Sequence, residues 1–169
     1  MTVTDNVSKI TLQKGKKTTA FAVSGMARGD SVKSWSSSNP KVFTVKGKSD
    51  GTCTIKAGSK TKKATLTIEL ASGLTRKITV KVQKAPVKVS SLSITNASGT
   101  LNLRKGERFS LKLDVRPFTT LIKPTYKSSR SKVASVSKKG VITAKKPGTA
   151  KITVKCGKKK KTITVKVSG

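Results

Sequence analysis

The sequence predicts an all-β protein made of two tandem β-sandwich domains of about seven strands each. Three observations point there. Apolar and polar residues alternate with the period of an extended strand, the chain repeats itself over the length of a small domain, and no segment keeps helical spacing.

The alternation is clearest in three places. Residues 108–115 place Phe109, Leu111, Leu113 and Val115 on one side, and residues 78–82 and 150–156 do the same with Ile, Val, Ala and Cys. This is the pattern of a half-buried strand, with one face to a core and the other to water. The repeat is read by aligning the chain on itself. Residues 35–45, beginning at Trp35, match residues 126–136, beginning at Tyr126, at an offset of 91. Leu12-Gln13-Lys14-Gly15 matches Leu103-Arg104-Lys105-Gly106 at the same offset. The offset shrinks to 89 at Gly51 and Gly140, and to 85 where Ile78–Val82 recurs as Ile163–Val167, so the insertions belong in loops. The reading is a domain over residues 1–84, a linker over 85–88 and a second domain over 89–169. Pro86, which cannot donate to a sheet ladder, suits a linker.

Taken in order, the first repeat enters a strand at Val3, which aligns with Ile94. So abrupt a start reads as a segment of a longer protein. Strands of the second repeat are expected near 89–94 and 100–103 (one interrupted strand), 108–115, 125–127, 133–137, 141–144, 150–156 and 162–167. Gly106, Gly140, Pro147-Gly148 and Gly157 punctuate them. Ser36–Pro40 and Ser128–Ser131 read as turns, because Ser and Asn side chains bond nearby backbone. Asn6-Val7-Ser8 and Asn96-Ala97-Ser98 have glycosylation spacing but read as turn residues. Trp35 and Tyr126 occupy equivalent strand positions and are expected to pack on their cores. Cys53 and Cys156 fall in different domains at inward positions, so both read as buried free thiols. Lys158, Lys159, Lys160 and Lys161 read as a solvated loop joining the last two strands, where lysines also discourage edge-to-edge pairing.

Composition narrows the function. The chain has 169 residues, 38 Lys and Arg, 6 Asp and Glu and no His, a net charge of +32. Without His there is no Ser-His-Asp or Cys-His pair and no His-based zinc site. Asp5, Asp30, Asp50, Glu69, Glu107 and Asp114 are scattered along the sequence, which leaves little for paired acid–base work or a calcium cage. The expectation is no enzyme, no metal and no cofactor. No apolar run is long enough to cross a membrane as a helix, so no membrane insertion is expected. To Pro86 there are 17 basic and 4 acidic residues, or +13; the remainder has 21 and 2, or +19. Lys77, Lys81, Lys151, Lys155 and Lys166 fall opposite apolar positions, so whole sheet faces should be basic, and the two readings are a surface that attracts polyanions or one that only keeps the module soluble. The candidate polyanion-binding residues are Lys158, Lys159, Lys160, Lys161, Lys151, Lys155 and Lys166. Nucleic acid is expected only as a non-specific partner, since there is no groove-reading helix and no exposed aromatic platform.

The segments Tyr126–Val136, Gly140–Ala144 and Pro147–Val154 resemble the bacterial Ig-like domain, group 2. The shared pattern is an aromatic, a Ser-Ser turn, Val-Ala-Ser-Val, Gly-Val-Ile-Thr-Ala and Gly-Thr-Ala-Lys-Ile-Thr-Val. The first repeat keeps Trp35, Ser37-Ser38-Asn39 and Val42–Val45 but departs over residues 46–57. The resemblance implies two tandem Ig-like β-sandwich domains. It also implies a structural or adhesive module of a bacterial cell-surface or secreted protein, and for such a module the basic faces make anionic polysaccharide, teichoic acid or glycan the expected attachment. The alternative it implies is a phage decoration or fibre protein on a virion surface. It supplies no catalytic residues to carry over.

Overall fold

The computed structural model describes residues 1–169. The chain forms two compact units. The first is Met1–Val87 with Phe118–Leu121; the second is Lys88–Pro117 with Ile122–Gly169. The sequence assigned 118–121 to the second repeat. Here Phe118 packs against the first core and stacks on Phe21, with ring centroids 6.2 Å apart.

The first unit contains β1 (Thr2–Val3), β2 (Lys9–Gln13), β3 (Lys17–Thr18), β4 (Val23–Ser24), β5 (Val32–Ser37), β6 (Phe43–Gly47), β7 (Cys53–Ala57), β8 (Lys63–Leu70) and β9 (Thr75–Gln83). One layer is the four-stranded sheet β2-β9-β8-β5. The other combines β3-β7-β6 with the β1-β4 pair. The second unit repeats this plan with β10 (Ser91–Ile94), β11 (Thr100–Arg104), β12 (Arg108–Ser110), β13 (Leu113–Arg116), β14 (Thr125–Ser128), β15 (Ala134–Val136), β16 (Val141–Ala144), β17 (Gly148–Cys156) and β18 (Lys159–Ser168). Its layers are β11-β18-β17-β14, and β12-β16-β15 with the β10-β13 pair. In both, the second strand of the unit runs parallel to the last one, while the other pairings are antiparallel. In immunoglobulin lettering the layers are A-B-E-D and A′-G-F-C.

The sequence pattern explains each core. On β8 Ala64, Leu66, Ile68 and Leu70 point inward, and on β17 Ala150, Ile152, Val154 and Cys156 do so. The intervening Thr and Lys residues face water, so burial follows the pleat. Trp35 and Tyr126 are half-buried at the edges of their cores. Each lies over a glycine. A Cβ on Gly47 would overlap the Trp35 indole, and one on Gly140 would sit 2.9 Å from the Tyr126 ring. Trp35 Nε1 donates to the Lys48 carbonyl at 3.2 Å, and the ring meets Phe21 edge-on. Cys53 and Cys156 are buried free thiols in separate units. Their Sγ atoms donate to the Phe21 and Ile122 carbonyls, and burial pushes the Cys53 thiol up to about 12.

Two elements differ from the sequence reading. The strand expected over 108–115 is two strands in one layer, β12 paired with β16 and β13 with β10. The ladder breaks at Leu111-Lys112, and Asn96 repairs it. Its Nδ2 donates to the Ser110 carbonyl and its Oδ1 accepts from the Lys112 amide, both at 2.8 Å. A side-chain amide here replaces a missing strand partner. The second difference is the lysine run. It is no loop: Cys156 pairs with Lys159 across a turn of only Gly157 and Lys158. Gly157 has φ +57°, as the first central residue of a type II′ hairpin turn requires. The tight turn extends β18 back to Lys159, so three of the four lysines are strand residues.

Candidate polyanion-binding surface

Register decides which lysines share a face. On β17 the outward residues are Thr149, Lys151, Thr153 and Lys155, since the alternate ones are buried. On β18 they are Lys160, Thr162, Thr164, Lys166 and Ser168. The pairing sets Lys155 opposite Lys160, Lys151 opposite Thr164 and Thr149 opposite Lys166. The flanking strands add Lys127, opposite Thr153, and Asn102, opposite Lys166. Arg104 closes the β11 end on the same side.

Of the seven candidate lysines, Lys151, Lys155, Lys160 and Lys166 lie together on this outward face. Lys158 occupies the hairpin turn. Lys159 and Lys161 have the inward parity of Ile163 and Val165 and leave the sheet on its opposite side, beyond the core. The sequence missed Lys127 and Arg104 as neighbours, because their strands are far away in the chain. Only the strand pairing brings them to this face.

No carboxylate stands on this face. Threonines separate the cations along each strand, so that Lys151 and Lys155 stand about 13 Å apart and Lys160 and Lys166 about 20 Å apart. Lys155 and Lys160 are the exception, directly opposite each other. Like charges so placed destabilise a sheet by about 0.2–1 kcal/mol. An arriving polyanion removes that repulsion and releases its own counterions.

The acids are engaged in structure. The Asp30 carboxylate accepts from the Ser31 and Ser72 amides and the Ser72 hydroxyl. Asp50 accepts from the Thr52 amide and hydroxyl, at 2.7 and 2.6 Å. Glu69 pairs with Lys33, which a β-bulge at β5 turns toward it, and also accepts from Ser34. Glu107 Oε2 accepts from the Arg104 amide, and Asp114 pairs with Arg116. Hydrogen bonds hold the Asp30, Asp50 and Glu69 carboxyls below their usual values: from Ser72 for Asp30, from Thr52 for Asp50, and from Lys33 for Glu69. No three or more His, Cys, Asp or Glu side chains come together as metal ligands would.

These features define a class: a pair of Ig-type sandwiches whose large sheets turn a Lys and Thr face outward. Residues 122–169, which hold the last five strands of the second unit, match the family model of the bacterial Ig-like domain. Over these residues the second domain is similar to the bacterial Ig-like domain, and the first domain repeats its strand order. A comparison with curated protein sequences returns no match. Among solved structures the chain resembles domains 5–6 of the S-layer protein SbsC, at 22% identity and a TM-score of 0.46, covering 98% of this chain and 94% of that one. It also resembles a bacterial Ig-like domain-containing GH10 xylanase from termite gut, at 24% identity and a TM-score of 0.35, over 41% of this chain and 18% of that one. A C-terminal fragment of intimin, solved with the intimin-binding domain of its translocated receptor, is similar at 16% identity and a TM-score of 0.31, over 85% and 54%. The chain spans only 21% of a longer SbsC fragment that it also matches. At these identities the likeness is one of fold alone.

Proposed function

We propose that this chain is a non-catalytic structural and adhesive module of a bacterial cell-surface or secreted protein, and that it attaches to an anionic wall polymer or glycan. The second domain makes the attachment through the outward face of β11-β18-β17-β14. Residues 85–88 serve as the linker between two domains. The observation that carries the reading is the acid-free face itself, with Lys155 and Lys160 held opposite each other. A regular cationic array on a rigid sheet suits a repeating polyanion, because each contact adds without any reordering of the protein. Thr side chains between the lysines supply hydroxyls for sugar or polyol oxygens.

Co-sedimentation with purified bacterial cell wall at about 150 mM salt tests this. The chain should bind intact wall and lose binding to wall stripped of its anionic polymer. The variant Lys155→Gln/Lys160→Gln/Lys166→Gln should bind more weakly, with a flatter dependence on salt. Equal binding to intact and stripped wall overturns the reading.

A further inference from the structure

A second basic site lies on the opposite layer of the first unit, where the sequence singled out nothing. The outward residues of β3, β7 and β6 include Lys17, Lys56, Thr44, Thr54 and Lys46. Lys17 is set directly opposite Lys56, Lys56 opposite Thr44, and Lys46 opposite Thr54. Lys46 is thus the diagonal neighbour of Lys56, with Cβ atoms about 7–8 Å apart. Lys16 and Gly15 close one side. Leu121, which belongs to this unit, closes another, and it is one of two large apolar side chains left strongly exposed, at 54%. Together they line a concavity of about 720 Å³ that contains four lysines and no acid.

We propose that this concavity binds a short run of a sugar-phosphate or polyol-phosphate polymer. This rests on the adhesive reading above but assigns a separate site and a narrower ligand. Four features of the lining argue for it. The cations are all lysines, point charges that bind phosphate oxygens without demanding a fixed bidentate geometry, which suits a flexible phosphate chain. Lys17 and Lys56 repel each other unless an anion lies between them. The volume lies in the range of small-molecule sites and exceeds what one phosphate fills. Thr44 and Thr54 offer hydroxyls to a polyol, and Leu121 offers an apolar wall to its carbon chain. No aromatic side chain lines the site, so nucleobases find no stacking surface.

The test is an NMR titration of the isotope-labelled full chain with poly(glycerol phosphate) fragments at about 150 mM salt. Three comparators of similar length are used: oligogalacturonate, oligo-dT and neutral dextran. The amides of Thr44, Lys46, Thr54 and Lys56 should shift with the phosphate polymer, weakly with the other anions and not with dextran. Lys17→Gln/Lys56→Gln should weaken binding at these amides by about tenfold and flatten its salt dependence by roughly one unit of slope. Leu121→Ser should weaken it less. Both variants change exposed side chains, and an unaltered amide spectrum verifies their folding. Lys155→Gln/Lys160→Gln should leave these shifts in place. Shifts confined to residues 151–166 overturn this site and leave the proposed function standing. Shifts here alone overturn the attachment face and support the site. Equal shifts with oligo-dT or oligogalacturonate overturn the ligand assignment, and shifts with no polymer overturn both.

Discussion

The two domains share a strand order and handle charge differently. The second has the larger net charge, +19 against +13, and spreads it over a sheet face. The first gathers four lysines into a concavity. At the matching positions of β12-β16-β15 the second domain places Arg108 opposite Thr143 and Thr143 opposite Ser135, with Ser110 opposite Val141. Glu107 stands where the first domain has Lys16, by the repeat offset of 91. The same layer is therefore a cationic site in one domain and nearly neutral in the other. Net charge does not locate a site; strand register and the fourth wall, here Leu121, do.

The largest expected effects test how each domain seats its aromatic ring. Gly47→Ala and Gly140→Ala both drive a Cβ into the ring above. Gly140 also has φ +80°, which Ala resists. Denaturant unfolding should therefore show a loss of about 1–3 kcal/mol for Gly47→Ala. Gly140→Ala combines overlap with backbone strain and should lose more, about 2–4 kcal/mol. Adding Trp35→Leu should remove most of the further cost of Gly47→Ala. Tyr126→Leu should rescue Gly140→Ala only in part, because its backbone strain remains. Complete rescue in both domains would show that the ring alone requires glycine.

Gly140 also marks what the sequence makes legible. Gly51 and Gly140 anchored the repeat, and alternation named inward residues such as Ile152, Val154 and Cys156, all fully buried. The break at Leu111-Lys112 was invisible because Phe109, Leu111, Leu113 and Val115 keep their alternation through it. What marks the break is the Asn96 side chain, a contact across strands. The lysine run read as a loop because composition carries no turn length, and the turn length sets which lysines face each other. Lys17, Lys46 and Lys56 lie on three strands, so no local pattern could join them.

A smaller contrast comes from acid. Asp30, Asp50 and Glu69 all belong to the first domain, and each is held below its ordinary value of 3.8, 3.8 and 4.5 respectively. The folded carboxylates bind protons less tightly than the unfolded ones. Their stabilisation is thus complete above about pH 5 and is lost as pH falls through 4 and below. Amide protection at pH 7 and pH 3 should fall more at Ile68 and Val80 than at Ile152 and Val165. An equal or larger loss in the second domain overturns the assignment of these groups as stabilising.

The smallest effect separates stability from attachment. Lys160→Thr removes the repulsion facing Lys155, and Lys81→Thr removes that facing Lys63 in the first domain. Each substitution keeps a residue suited to a strand and should raise stability by about 0.2–1 kcal/mol. The two should part company at the wall polymer: Lys160→Thr weakens co-sedimentation, while Lys81→Thr leaves it nearly unchanged. A residue whose removal stabilises the fold and weakens binding is placed for its ligand, since the sheet alone gains nothing from it. If both variants bind the wall as the parent does, the repulsive pair on β17 and β18 has no part in attachment, and the face acts only as a solvated surface.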